Sequence, residues 1–171
     1  MKALLTLAFA GFLLAPFAAG QKLDLKLDSL ASKAADKSEV DLDGAALDMA
    51  QKMSGKEKTA LPEQLKGIAS ALKGVYIRNY EFSKPGEYSD KELDPLRKQV
   101  ADGSGWSRII HVREKQESTE IYVLNAGGQI TSLLILACEA AEVSVVHLIG
   151  SISPERLTAF VSSNIQYLPM N

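Results

Sequence analysis

Residues 106–149, WSRIIHVREKQESTEIYVLNAGGQITSLLILACEAAEVSVVHLI, are the stretch from which the fold is read. Four runs rich in β-branched residues, 106–115, 119–124, 130–138 and 143–149, are set apart by Gln116-Glu117-Ser118, Ala126-Gly127-Gly128 and Glu139-Ala140-Ala141-Glu142. Runs of this kind between turn residues read as strands. Connections this short join antiparallel neighbours, because a parallel crossover takes a dozen or more residues. The last two runs are apolar at nearly every position, so both faces of those strands should be covered.

Working outward, Val75 to Phe82 reads as another strand, broken by Lys84-Pro85-Gly86. Ser89 and Glu92 have capping-box spacing, in which the serine oxygen and the glutamate side chain satisfy free amides at a helix start. That helix should reach about Ala101 with Leu93, Leu96 and Val100 inward. Pro95 means that it either kinks or begins with Asp94 as cap. Ser153-Pro154-Glu155 starts a last helix whose apolar stripe is Leu157, Phe160 and Val161. Upstream, Leu23, Leu27, Leu30 and Ala34 recur at helical steps, Ser38 to Gly44 is a break, and Ala45 to Met53 is a second short helix. Pro62 to Leu72 is a third. The expectation is an α+β fold: a meandering antiparallel sheet of about five strands with helices, preceded by an amino-terminal helical segment. Residues 1–20, 21–58 and 59–171 are its divisions. The helix after the first strand and the last helix would cover one sheet face, leaving the other to the amino-terminal helices or to a partner.

Met1-Lys2, the apolar run Ala3 to Phe17 and the small residues Ala18-Ala19-Gly20 have the pattern of a secretory signal peptide, with cleavage expected before Gln21. The apolar run falls short of what a membrane span prefers, so no transmembrane span is expected after cleavage. The expected location is periplasmic or extracellular. The chain has 19 basic and 21 acidic side chains and a net charge of −2, mixed along its length, which argues against a nucleic-acid partner. A single cysteine, Cys138, rules out an intramolecular disulfide, and its apolar neighbours make it a small core residue. Two histidines and one cysteine are too few for a histidine- or thiolate-rich metal site.

No catalytic set assembles from the sequence. Ser70 and Lys73 have serine-x-x-lysine spacing, but the companion motifs of penicillin-recognising enzymes are missing. His147 lies among apolar residues and reads as a core imidazole; His111 alternates with Arg113 and Lys115 on a solvated face. Glu39, Asp41, Asp43 and Gly44 match the start of a calcium loop, yet Ala50 stands where the bidentate glutamate is needed, so a helix-capping turn is the expectation. No catalytic, cofactor or metal residue is assigned. The candidate recognition surface is a row of aromatic rings and arginines. Tyr76, Arg78, Tyr80 and Phe82 share one face of their strand, and Trp106, Arg108, Ile110 and Val112 share one of theirs. If the two strands were neighbours, Arg78 and Arg108 would lie between rings, able to stack or to bind an anionic group.

Lys73-Gly-Val-Tyr-Ile-Arg-Asn-Tyr-Glu-Phe82, Pro85-Gly-Glu-Tyr88, Arg97-Lys-Gln99, Gly105-Trp-Ser-Arg108 and Gly150-Ser-Ile-Ser153 together resemble a family of small exported bacterial proteins known as domain-of-unknown-function family 4252. The amino-terminal pieces Leu23-Asp-Leu-Lys-Leu27 and Val40-Asp-Leu-Asp-Gly44 are similar to the family as well. The resemblance implies a signal peptide, an α+β domain, an envelope location and a role in envelope regulation. It implies no activity and no catalytic residues. The expected function is therefore non-catalytic protein–protein interaction, with an unknown envelope protein or with another copy of the chain. The alternative is a binder of a small or lipid-like ligand held between sheet and helices.

Overall fold

The computed structural model describes residues 21–53, 68–101 and 103–164. Helices α1 (Asp28–Lys33), α2 (Gly44–Met53), α3 (Asp94–Gln99) and α4 (Pro154–Asn164) accompany six strands. These are β1 (Asp36–Asp43), β2 (Leu72–Glu81), β3 (Trp106–Glu114), β4 (Glu117–Ala126), β5 (Gln129–Glu139) and β6 (Glu142–Ile152). They form one antiparallel sheet in the order β1-β2-β6-β5-β4-β3. The fold is α+β, with six strands rather than about five.

Strands β3 to β6 are the expected run of hairpins. The added strand is β1, in a stretch read as a break after a helix. It pairs with β2 from Asp36 opposite Glu81 to Asp43 opposite Gly74. Its sequence, DKSEVDLD, is mostly charged because it is a sheet edge, where polar side chains face water. The leading helix also shrinks to the six residues of α1. Before it, Leu23, Leu25 and Leu27 are buried while Lys22, Asp24 and Lys26 are exposed, which is the two-residue period of an extended chain. The proposed third helix lies largely outside the described residues; its last part, Ala69–Ala71, is a 3-10 turn, and Leu72 already belongs to β2.

Each sheet face carries its own apolar layer. On the first face Tyr76, Tyr80, Leu134, Leu136, Val143 and Val145 lie beneath Leu23, Leu25, Leu27 and Leu30, and beneath Leu93, Leu96 and Val100 around α3. On the second face Val75, Ile121, Leu133 and Leu148 lie beneath Leu47 and Ala50 of α2, Ile68, and Leu157, Phe160 and Val161 of α4. Helices α3 and α4 therefore sit on opposite faces, not on a shared one. The chain leaving β2 must pass β6, β5 and β4 to reach the far edge, and it carries α3 across the first face; α4, following β6, folds back over the second.

The Ser89 capping box does form: Ser89 accepts from the Lys91 amide, and Glu92 accepts from the Ser89 amide at 2.8 Å. It closes a separate 3-10 turn, Asp90–Leu93, and α3 begins after it with Pro95 in its first turn, where a missing amide proton costs nothing. A bulge in β3 between Arg108 and Ile110 corrects the expected face assignment. Trp106 joins the first-face core, whereas Ile110 packs on the second.

Where β6 passes the start of β2, a Cβ on Gly150 would overlap the Ala71 carbonyl oxygen and crowd Leu72 Cα at 2.9 Å. Both obstacles are backbone and cannot rotate away. Gly150→Ala should therefore lower stability by about 2–3 kcal/mol in urea unfolding.

Candidate functional site

Tyr76, Arg78 and Tyr80 of β2 and Trp106 and Arg108 of β3 all belong to the first face, but β6, β5 and β4 stand between the two strands. The structure thus divides the expected surface into two separate groups.

At the β1–β2 edge, Arg78 grips Asp41 with both terminal nitrogens, at 2.6 and 3.1 Å, and its Nε is 3.7 Å from Glu39. Nη1 also donates to the carbonyls of Val40 and Ile77. The hydrogen bond to Asp41 raises the Arg78 pKa above its ordinary value. Such a fork-to-carboxylate pair fixes geometry as well as charge, so Arg78 clamps β1 to β2. Next to it the Tyr76 hydroxyl donates to Asp43 at 2.8 Å, and Lys22 lies 4.4 Å from the Tyr76 ring centre and 3.4 Å from Asp43. The Tyr76 hydrogen bond, with the Lys22 charge behind it, holds the Asp43 carboxyl below its usual range. Glu39, Asp41 and Asp43 are thus ranged along a strand and matched by Arg78, Lys22 and Tyr76, and Asp43 stands directly ahead of α2. Over them the extended segment 22–28 makes one wall of a groove of about 340 Å3, with Glu39 and Asp41 opposite and Tyr76, Arg78 and Tyr80 at its floor.

At the other edge, Arg108 reaches Glu120 at 3.4 Å. Glu120 is only 3% exposed, although it is ionisable. It accepts from Arg97 Nε and Nη2 at 3.0 and 2.7 Å and from the Tyr122 hydroxyl at 2.5 Å. Burial pushes its pKa up, but the hydrogen bonds from Tyr122 and Arg97 outweigh that, so the carboxyl is held below its ordinary value. Arg97 also donates to the Asp90 carbonyl and to the Asp90 and Asp94 carboxylates. No role for Arg97 or Glu120 was read from the sequence. The available sign was the alternation in β4: Glu120, Tyr122 and Leu124 share an inward face, and an acid there needs a cation.

The histidines stay apart. His111 is exposed on β3. His147 on β6 is fully buried, 5.7 Å from the Tyr76 ring and 6.1 Å from the Trp106 ring. Trp106 Nε1 and Ser132 Oγ have no hydrogen-bond partner among the described residues, and His147 has only the Gln21 backbone near its ring, outside good hydrogen-bond geometry. Burial drives the His147 pKa down to about 4; the nearby Lys22 charge acts in the same direction, and the Gln21 backbone acts against it. Cys138 is buried, and desolvation pushes its thiol up, which suits a core residue rather than a nucleophile. Ser70 lies in the 3-10 turn and accepts from Arg156, while Lys73 is exposed on β2.

Two outcomes are expected. Glu120→Ala would leave the guanidinium of Arg97, whose side chain is 20% exposed, without its most buried partner. The protein should lose about 2–4 kcal/mol, measured by denaturant unfolding. His147 binds a proton below about 6.5 in the unfolded chain and only near 4 in the folded one. Its contribution is therefore complete above pH 6.5 and declines as pH falls through that window, by about 2 kcal/mol between pH 7 and pH 5. Thermal unfolding across that range should show the decline in the wild type and a flatter profile in His147→Leu.

A family model described as a domain of unknown function, DUF4252, matches residues 32–160. No curated protein and no solved structure matches the chain. The match runs through all six strands and takes in both the Arg78 clamp and the Glu120 network. The chain belongs to the DUF4252 family.

Proposed function

We propose that this protein is exported to the cell envelope and acts there without catalysis, by binding another protein within an envelope regulatory system. The observation that carries this reading is the groove over β1 and β2. One wall alternates in charge, with Lys22, Asp24, Lys26 and Asp28, and the other is acidic, with Glu39 and Asp41. Charged walls suit a polar peptide segment better than a lipid chain. The export half rests on the leader at residues 1–20.

A second reading has its own support. Trp106 and Ser132 leave buried polar atoms without partners among the described residues, and His147 beside Trp106 has only the Gln21 backbone near its ring. Buried polar groups ordinarily find a partner, and a small polar ligand would supply one.

Intact and native mass spectrometry of the protein from an envelope fraction tests both. The expected species begins at Gln21 and carries a stoichiometric protein partner, which Lys26→Glu combined with Asp28→Lys releases. A chain that retains its leader and stays in the cytoplasm overturns export. An added mass of a small molecule in place of a protein moves the second reading to the front.

A further inference from the structure

The two edges of the sheet carry opposite charge. Edge strand β1 holds Asp36, Glu39, Asp41 and Asp43 against Lys37 alone, whereas edge strand β3 holds Arg108, His111 and Arg113 against Glu114. Both strands are exposed along most of their length. An edge strand presents unpaired amides and carbonyls, and like charge along it deters pairing with an identical edge. By their own side chains β1 is net negative and β3, with His111 neutral, is net positive, so unlike edges suit each other better than like ones even with the ion pairs each edge makes within the chain.

We infer that a second copy of this chain docks on the β1 edge through its own β3, extending the sheet from one molecule to the next. This deepens the interaction reading above and rests on it. Strand direction permits it: neighbours alternate along β1-β2-β6-β5-β4-β3, so a β3 added beside β1 in a continuing sheet runs antiparallel to it. One register satisfies both faces. With Glu39 opposite Arg113 and Asp41 opposite His111, the first face pairs acids with basic side chains. The same register sets Val40 opposite Val112 and Leu42 opposite Ile110 on the second face, all four half-buried and apolar. The charged groups remain available to a partner. Glu39 and Asp41 keep 49% and 55% of their side-chain surface beside Arg78, and Arg113 keeps 58% beside Asp90. The bulge lies between Arg108 and Ile110, outside the strand section that this register uses.

The contact joins unlike edges, so each added copy leaves one β1 and one β3 free. Assembly then continues or closes into a ring, rather than stopping at a symmetric dimer.

Analytical ultracentrifugation of the chain as purified from an expressing cell, over a concentration series in low and high salt, tests the pairing. The wild type should form species beyond a dimer in low salt and dissociate in high salt. H111E/R113E sets new acids beside Glu120 and Asp90, so its fold is checked first by circular dichroism; folded, it should weaken association at least about tenfold, as should E39K/D41K. A mixture of the two variants should associate again, because each supplies the charge that the other has reversed. If E39K/D41K fails to fold, folded H111E/R113E still decides the matter. A wild type that stays monomeric in low salt, or an H111E/R113E protein that associates as tightly as wild type, overturns the pairing. A monomeric wild type that still holds a different protein in stoichiometric amount defeats this inference and leaves the interaction reading standing. Absence of both defeats the two together.

Discussion

Strands β5 and β6 are apolar on both sides, and almost every other element is placed by that fact. Leu134 and Leu136 face one way and Leu133 and Leu148 the other, each at most 1% exposed. Burial of one such side chain stabilises by about 1.5–3 kcal/mol, so neither face can be left wet. The chain supplies both covers itself. The extended leucines before α1, together with α3, close the first face; α2 and α4 close the second.

The two covers are held differently, for reasons of length. Helix α4 has eleven residues and α2 ten, enough for an apolar stripe to hold them down. Helices α1 and α3 have six each, too short to be stable by themselves. Charged ties fix them instead. Glu92 accepts from the Ser29 hydroxyl and pairs with Lys33, joining α1 to the turn before α3. Arg97 ties α3 to the buried Glu120 of β4. A buried ion pair adds little net stability compared with apolar packing, but removing one partner leaves an unpaired buried charge. Glu120 therefore penalises any seating of α3 that takes Arg97 away from it.

The same distinction explains what could be read from the residues alone. Strands β3 to β6 were legible because their apolar runs and short turns are local signals. So were the Ser89 capping box and the apolar stripe of α4. Strand β1 was not, because an edge strand has one neighbour and its composition answers mostly to water. Leu23, Leu27 and Leu30 fit a helical period, and only the buried Leu25 between them reveals an extended segment. The separation of Arg78 from Arg108 depends on strand order, which hairpin lengths do not set: β2 pairs with β6, the strand farthest from it in sequence. Alternation along β3 failed at a single residue, since the bulge before Ile110 turns the rest of the strand over. The Glu120 network needed a tertiary partner, Arg97, that no local spacing announces.

The family match begins at residue 32, so the leucines that strap down the first face lie outside it, while the strands they cover lie within. The groove at the β1–β2 edge is built across that boundary. Its floor of Tyr76, Arg78 and Tyr80 and its acidic wall of Glu39 and Asp41 belong to the matched region; the wall of Lys22, Asp24, Lys26 and Asp28 belongs to the strap. The floor is rigid because Arg78 is clamped and Tyr80 is buried. The strap wall alternates buried leucines with exposed charges, so its outward side chains can change without disturbing the leucines that anchor it. The outward charges of this wall can therefore change while the sheet, the clamp and both apolar layers stay as they are.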